Sequence, residues 1–341
     1  MSGYHKIDYS EQQEKRTPLV SVGMLVYNQE KYIGKAIESV LMQEVNFDYE
    51  IVIADDYSTD RTREIIIDYA KKYPQIIKLI LQEKNVGMVI NSKHLKLACC
   101  GKYRANLEGD DYWISTKRLQ KQVDFLENNP EYVAVGGILI SVNDEGRRCN
   151  FPWGDPGDTY VLEGDYTKKH FEDWKLPGHT STWVSRNIFY YCDSATLEQY
   201  EEYKITGDRK TPLFFLQFGK IYIFNEIFMA RRILWNSQTS HMNTYRNICI
   251  PARSYRWILE TERMDSELTH LGIDLSAVKD RMFLNAFRQL YLKRNMVQLK
   301  GCFEIIKLSD RKLHSLFLLF RKCCSKIHNK IKNLKAKKKK H

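Results

Sequence analysis

No stretch of this chain approaches the roughly 18–20 consecutive apolar residues that cross a bilayer. Its opening residues, MSGYHKIDYSEQQEKR, are polar and charged and lack the apolar segment of a secretory signal. Both absences predict a cytoplasmic protein. The eight cysteines never form CxxC, and Cys99–Cys100 and Cys323–Cys324 are direct neighbours, a poor spacing for zinc ligands. A chain of 341 residues has room for a sizeable core without disulfide staples, so the thiols read as free and mostly structural. Two nucleotide-binding signatures are also missing. No GxGxxG follows a strand, and no GxxxxGK(S/T) occurs. Any bound phosphate must therefore be held through metal and side chains. Acidic residues are absent from Arg321 onward, where ten Lys or Arg residues gather. Removing those ten from the 53 basic residues leaves 43, against 42 acidic. The body is nearly neutral, which argues against a broad nucleic-acid-binding face.

What is present is an alternation of strand and helix signals. Residues 19–26, 49–54, 76–81 and 103–107 read as buried strands. Helical spacing fills 31–42, about 60–73 and 90–100, with Ser58 or Asp60 placed to cap the second helix. This pattern predicts βαβ units and a mostly parallel sheet flanked by helices. Residues 116–128 read as a helix, and 132–140, 180–185 and 220–232 as further strands. The stretch 143–180 is rich in Gly, Pro, Asp and Trp and predicts long loops. From about 250 the pattern is helical. In the tail, Leu313, Leu316, Phe320, Cys323, Ile327, Ile331 and Leu334 recur at three- and four-residue steps among basic residues, a basic amphipathic helix ending in KKKK.

Ligands of parallel α/β sheets sit at the carboxyl ends of the strands. Three polar clusters fall there: Tyr27-Asn28-Gln29-Glu30, then Asp55 to Thr62, then Glu108-Gly109-Asp110-Asp111. Asp-Asp-x-Ser-x-Asp alone is also an ordinary capping loop, and Asp110-Asp111 alone could be a solvated turn. Together they are more specific. Crowded carboxylates repel unless a cation neutralises them, and Mg²⁺ or Mn²⁺ with bound phosphate oxygens does so.

The residues that follow these strands resemble family 2 glycosyltransferases, the inverting group with the GT-A fold. The matching segments are VSVGMLVYNQEKYIGKAIESVLMQ at 20–43, IVIADDYSTDRTREII at 51–66, NVGMVINS at 85–92 and GKYRANLEGDDYWISTKRLQKQVDFLENNPEY at 101–132. The resemblance covers about residues 18–235 and fades past 240. It implies a GT-A (Rossmann-like) α/β fold with a helical C-terminal extension. Val26, Tyr27 and Glu30 match the loop that packs on a donor nucleotide, and Asp55 and Asp56 the acidic residues near its base and ribose. Glu108-Gly109-Asp110 occupies the family's DxD position, with Glu in place of the first Asp. This implies Asp110 as direct metal ligand with Glu108, and Asp111 as a neighbour in the loop.

The same resemblance implies Asp208 as catalytic base, in Ile205-Thr206-Gly207-Asp208 at the start of a helix; the bland reading is a helix N-cap. Glu201 and Glu202 are the fallback carboxylates. His179 and Thr180 match a segment near the acceptor pocket, though a polar strand edge reads equally well. Arg231, Arg232 and Trp235 resemble the segment that carries a loop over the diphosphate, but Ile-Leu-Trp-Asn replaces the usual His and glycines. Trp153 and Trp174 could stack on a sugar, and core or loop anchoring is their commoner use.

The expected organisation is a polar lead at 1–17, a catalytic domain at 18–240 with donor half 18–115 and acceptor half 116–240, a helical extension at 241–309 and a basic tail at 310–341. The expected function is transfer of a sugar from a nucleotide-sugar, by default UDP-linked, to a hydroxyl of a glycan or lipid-linked acceptor in cell-surface polysaccharide synthesis. The tail would dock on the cytoplasmic face of an anionic membrane. Two rival readings remain, an inactive sugar- or nucleotide-binding module and a nucleotidyltransferase. The latter is disfavoured because no Gly-rich, Lys/Arg-bearing loop follows the first strand.

Overall fold

The computed structural model describes residues 4–7, 17–150, 160–234, 249–293 and 296–309. Trp153, Trp235 and the basic tail lie outside them. The chain divides into two compact units, residues 1–240 with 263–273, and residues 241–262 with 274–341.

The first unit is built on one sheet. Its strands are β1 (Tyr4–Ile7), β2 (Val20–Val26), β3 (Tyr49–Asp55), β4 (Ile77–Gln82), β5 (Tyr103–Glu108), β6 (Tyr112–Trp113), β7 (Tyr132–Val142), β8 (Gly164–Tyr166), β9 (Val184–Arg186) and β10 (Lys220–Arg232). The order across the sheet is β1-β4-β3-β2-β5-β9-β7-β10-β6, with β8 on β10. The helices are α1 (Ile33–Leu41), α2 (Thr62–Lys72), α3 (Met88–Ala98), α4 (Arg118–Asn128), α5 (Lys168–Glu172), α6 (Ile188–Tyr191), α7 (Ser194–Glu202) and α8 (Gly207–Leu216).

Strands β4, β3, β2 and β5 run parallel, and their side chains sort by the two-residue period of a strand. Ile51 and Ile53 face the core shared with Ile33, Ala36, Ile37 and Val40 of α1 and Ile66 of α2. Val52 and Ala54 face the other way, onto Leu95 of α3 and Cys99. Helices cover both faces, which is why β2 and β3 read as continuous apolar runs.

Beyond β5 the sheet is mixed. β9 runs antiparallel between β5 and β7, and β6 and β8 run antiparallel to β10. β6 and β8 are two and three residues long, too short for periodicity to register, and β9 takes up only the end of the strand expected at 180–185. Thr180–Thr182, expected within a strand, forms a 3-10 turn before β9. The cause is local. The Thr182 hydroxyl donates to the His179 carbonyl at 2.7 Å, and the Ser181 amide donates to His179 Nδ1 at 3.3 Å. The fully buried Arg118 fixes that turn, donating to the carbonyls of Ser181 and Thr182 at 2.9 Å each and stacking on Trp113 at 4.0 Å.

The second unit contains most of α9 (Ile250–Met264), with α10 (Ser276–Lys293) and α11 (Met296–Leu308). Cys249, Ala252, Tyr255, Phe283, Ala286, Cys302 and Ile305 form its core. The segment 263–273 holds a π-helical turn, Asp265–Thr269, whose Asp265 carboxylate accepts from the amides of Leu271 and Ile273 at 2.8 Å each. Among the described residues no helix is long and apolar enough to cross a membrane.

Candidate active site

The loops after β2, β3 and β5 leave the sheet side by side, because β2 lies between β3 and β5. The first two are laced together. The amides of Asn28, Gln29 and Glu30 donate to Ser58 Oγ, Thr62 Oγ1 and Asp60 Oδ2 at 2.9, 2.7 and 3.1 Å. In return the Thr59 amide donates to Asn28 Oδ1 and the Arg61 amide to Glu30 Oε2. Asp60 also accepts from the Thr62 amide at 2.9 Å, so it supports the start of α2, while Ser58 serves the neighbouring loop. Val26 is buried and Tyr27 is exposed at the rim.

Asp55 and Asp56 are both buried and both engaged. Asp55 takes the Arg63 Nε at 2.6 Å and the Ser58 amide. Asp56 accepts from the amides of Val86 and Gly87 at 2.8 and 3.0 Å, which pins the entry to α3. Burial raises the Asp56 pKa, and those two amides oppose the rise.

The loop after β5 carries the crowd of charge. Ligand atoms of Glu108, Asp111 and His179 lie within 4.8 Å of one another. Asp111 is buried, its Oδ1 accepts from the Arg232 amide at 2.8 Å, and its Oδ2 is buried without a hydrogen-bond partner. Loss of water, then the charges of Asp110 and Glu108, push the Asp111 pKa well above the usual carboxylate range. Glu108 reaches solvent, yet the protein packed around its carboxyl displaces enough water to raise its pKa to about 7, with the Asp110 charge adding to the effect. His179 is driven down to about 4 by burial and then by the Arg231 charge, so it is neutral. Its Nδ1 accepts the Ser181 amide, which leaves the proton on Nε2 and makes the ring a donor there. Burial opposes the charge on Arg231, but Tyr160, Glu108, Asp111 and Asp208 outweigh it and raise its pKa further.

Asp208 stands in the first turn of α8, half-buried, with Thr206 rather than Asp208 at the N-cap position. Its charge is felt by Glu108, His179 and Tyr160, so the structure brings it to the same cluster. Glu201 lies elsewhere in function, bonded to Lys96 and, at 3.3 Å, to Lys210. Trp174 is buried under Arg209, whose guanidinium sits 3.9 Å over the ring, so it acts as an anchor.

An orphaned carboxylate oxygen beside a second carboxylate fits a hard divalent cation. Glu108 and Asp111, with Asp110 between them in sequence, could hold it. The Nδ1 bond of His179 favours a hydrogen-bonding role over direct ligation. The inward aim of Asp111 was not readable from the sequence, because its Arg232 partner is 121 residues away. Tyr160 and its closeness to Arg231 left no sequence signal at all.

Comparison with known proteins gives this geometry a context. The chain is 40% identical over 134 residues to the protein Rv1520 of Mycobacterium tuberculosis, a match covering 39% of each. It therefore spans about two fifths of that relative's length. It is 26% identical over 328 residues to a glycosyltransferase of Haemophilus influenzae, covering 94% of this chain and 96% of that one. Its fold superimposes on Staphylococcus aureus TarS 1–349, solved in complex with UDP-GlcNAc, with a TM-score of 0.57, 16% identity and coverage of 84% and 79%. Residues 21–187 match the model of glycosyl transferase family 2. The sheet flanked by helices is similar to the GT-A arrangement, and residues 21–187, just under half of the chain, are the part that matches glycosyl transferase family 2.

Proposed function

We propose that this protein is a metal-dependent inverting glycosyltransferase, moving a sugar from a nucleotide-sugar, UDP-linked by default, to a hydroxyl of a glycan or lipid-linked acceptor. The observation that carries the reading is the partnerless Asp111 Oδ2 inside a carboxylate cluster whose ionisation the nearby Asp208 charge also opposes. The UDP-GlcNAc bound by TarS supports a nucleotide-sugar ligand. Such a cation would draw negative charge from the departing diphosphate.

The chain's own residues divide the remaining work. Asp208 takes the proton from the acceptor hydroxyl as that oxygen bonds to the anomeric carbon. The bond from that carbon to the diphosphate oxygen breaks on the opposite face, the nucleoside diphosphate leaves with the electron pair, and configuration inverts. His179 Nε2–H and Arg231 supply fixed positive polarity beside the carboxylates. Asp55, Asp56 and Glu30 act on the donor by holding the two rim loops in shape around Val26 and Tyr27. His179 and Thr180 face the acceptor side.

Asp208→Asn removes the base while preserving size. Turnover is expected to fall roughly 10²–10⁴-fold with donor affinity unchanged. Wild-type turnover in this variant would remove Asp208 from the mechanism. We further propose that residues 310–341 dock the enzyme on an anionic membrane. Full-length chain should co-sediment with phosphatidylserine vesicles and residues 1–309 should not; equal binding by both would contradict that role.

A further inference from the structure

Four non-glycine residues have positive φ among the described residues: Asn28, Tyr57, Trp174 and His270. Three have a local explanation. Asn is the side chain that best tolerates this region, and Asn28 Oδ1 also accepts the Thr59 amide. Trp174 is buried and stacked by Arg209, so packing compensates. His270 terminates the π-helical turn, with its amide on the Asp265 carbonyl at 2.7 Å. Tyr57 differs. At φ 63° a bulky side chain is strained, yet it is 45% exposed, so core packing does not repay the strain.

One face of the Tyr57 ring is supported. The Arg63 guanidinium carbon lies 5.3 Å from the ring centroid, and Arg63 is itself fixed to Asp55 and, at 2.9 Å, to the Gln82 carbonyl. The result is an aromatic platform with a cation behind it and an accessible surface. Its place in the sheet matters. Tyr57 follows β3, and the carboxylate cluster follows β5, two strand positions away. At about 4.8 Å per position the ends of β3 and β5 stand about 10 Å apart, a span on the scale of a nucleoside diphosphate.

We infer that Tyr57 is a stacking platform for the nucleobase of a bound nucleoside diphosphate. This rests on the nucleotide-sugar reading above and adds to it the residue that grips the base. The strained backbone holds the ring out of the core and presents it to the ligand.

The test is titration calorimetry with Mn²⁺ present, using UDP, GDP, dTDP and, as a baseless probe, inorganic pyrophosphate, on wild type, Tyr57→Phe and Tyr57→Asn. Tyr57→Phe should bind the preferred nucleotide as wild type does. Tyr57→Asn, which suits the left-handed backbone, should unfold at a Tm no lower than wild type and bind that nucleotide about tenfold more weakly, with pyrophosphate affinity unchanged. Wild-type nucleotide affinity in Tyr57→Asn would overturn the inference. So would an equal loss for pyrophosphate, which would assign Tyr57 to loop order. Failure of the wild-type chain to bind any of the nucleotides would overturn the donor reading and this inference with it.

Discussion

Gly109 separates Glu108 from Asp110, and there is no room for anything larger. A Cβ there would stand 2.2 Å from Gln29 Oε1 and 2.7 Å from Val26 Cγ1, the latter anchored at the buried end of β2. Gly109→Ala must therefore push the acidic loop outward. The expected cost is about 1–3 kcal/mol in denaturant unfolding, with turnover of the folded enzyme falling as Asp110 and Asp111 move. Unchanged stability and turnover would show that the loop has slack. The clustering of Glu108, Asp110 and Asp111 at a strand end was legible from sequence, because a polar run after a buried strand has only one place to go. Which oxygen lacks a partner was not legible. That depends on the backbone amide of Arg232 reaching Asp111 from the far end of β10. Likewise Tyr57 reads as an ordinary loop tyrosine until its φ is known.

At the scale of elements, α3, α7 and α8 are joined by buried charge. Lys96 of α3 and Lys210 of α8 both pair with Glu201 of α7, and Lys210 also donates to the carbonyls of Tyr200 and Tyr203 at 3.2 and 3.4 Å. Burial lowers the Lys96 pKa from 10.5 to about 8, even with Glu201 opposing the shift. A lysine with a depressed folded-state pKa binds fewer protons folded than unfolded between those two values, so stability rises with pH across that window. Urea unfolding from pH 7.5 to 9.5 should show a more positive slope in wild type than in Lys96→Met. Identical slopes would mean that Lys96 titrates normally. The main elements were legible because their apolar periods are long. β2, β3, β5 and β10 begin and end within about two residues of the positions read from sequence, the usual uncertainty of such boundaries. The two-residue β6 and three-residue β8 were not, since pairing with distant strands creates them rather than any pattern of their own, and of the strand read at 180–185 only its last two residues fall in β9.

Across the whole chain, the acidic crowd at one sheet edge contrasts with a nearly neutral body and a basic tail. Self-repelling carboxylates brought together by β5 and the His179 turn, with Asp208 nearby, are costly unless ligand binding relieves them. That is why the site is read as incomplete without a cation and a diphosphate. The most direct test is release of nucleoside diphosphate from UDP-, GDP- and dTDP-sugars with Mn²⁺, Mg²⁺ or EDTA, on wild type, Asp110→Asn and Asp111→Asn. One donor should be turned over in the presence of metal, EDTA should abolish it, and the asparagine variants should lose it. Turnover that persists in EDTA, or in both variants, would contradict the carboxylate cluster as a cation-held donor site.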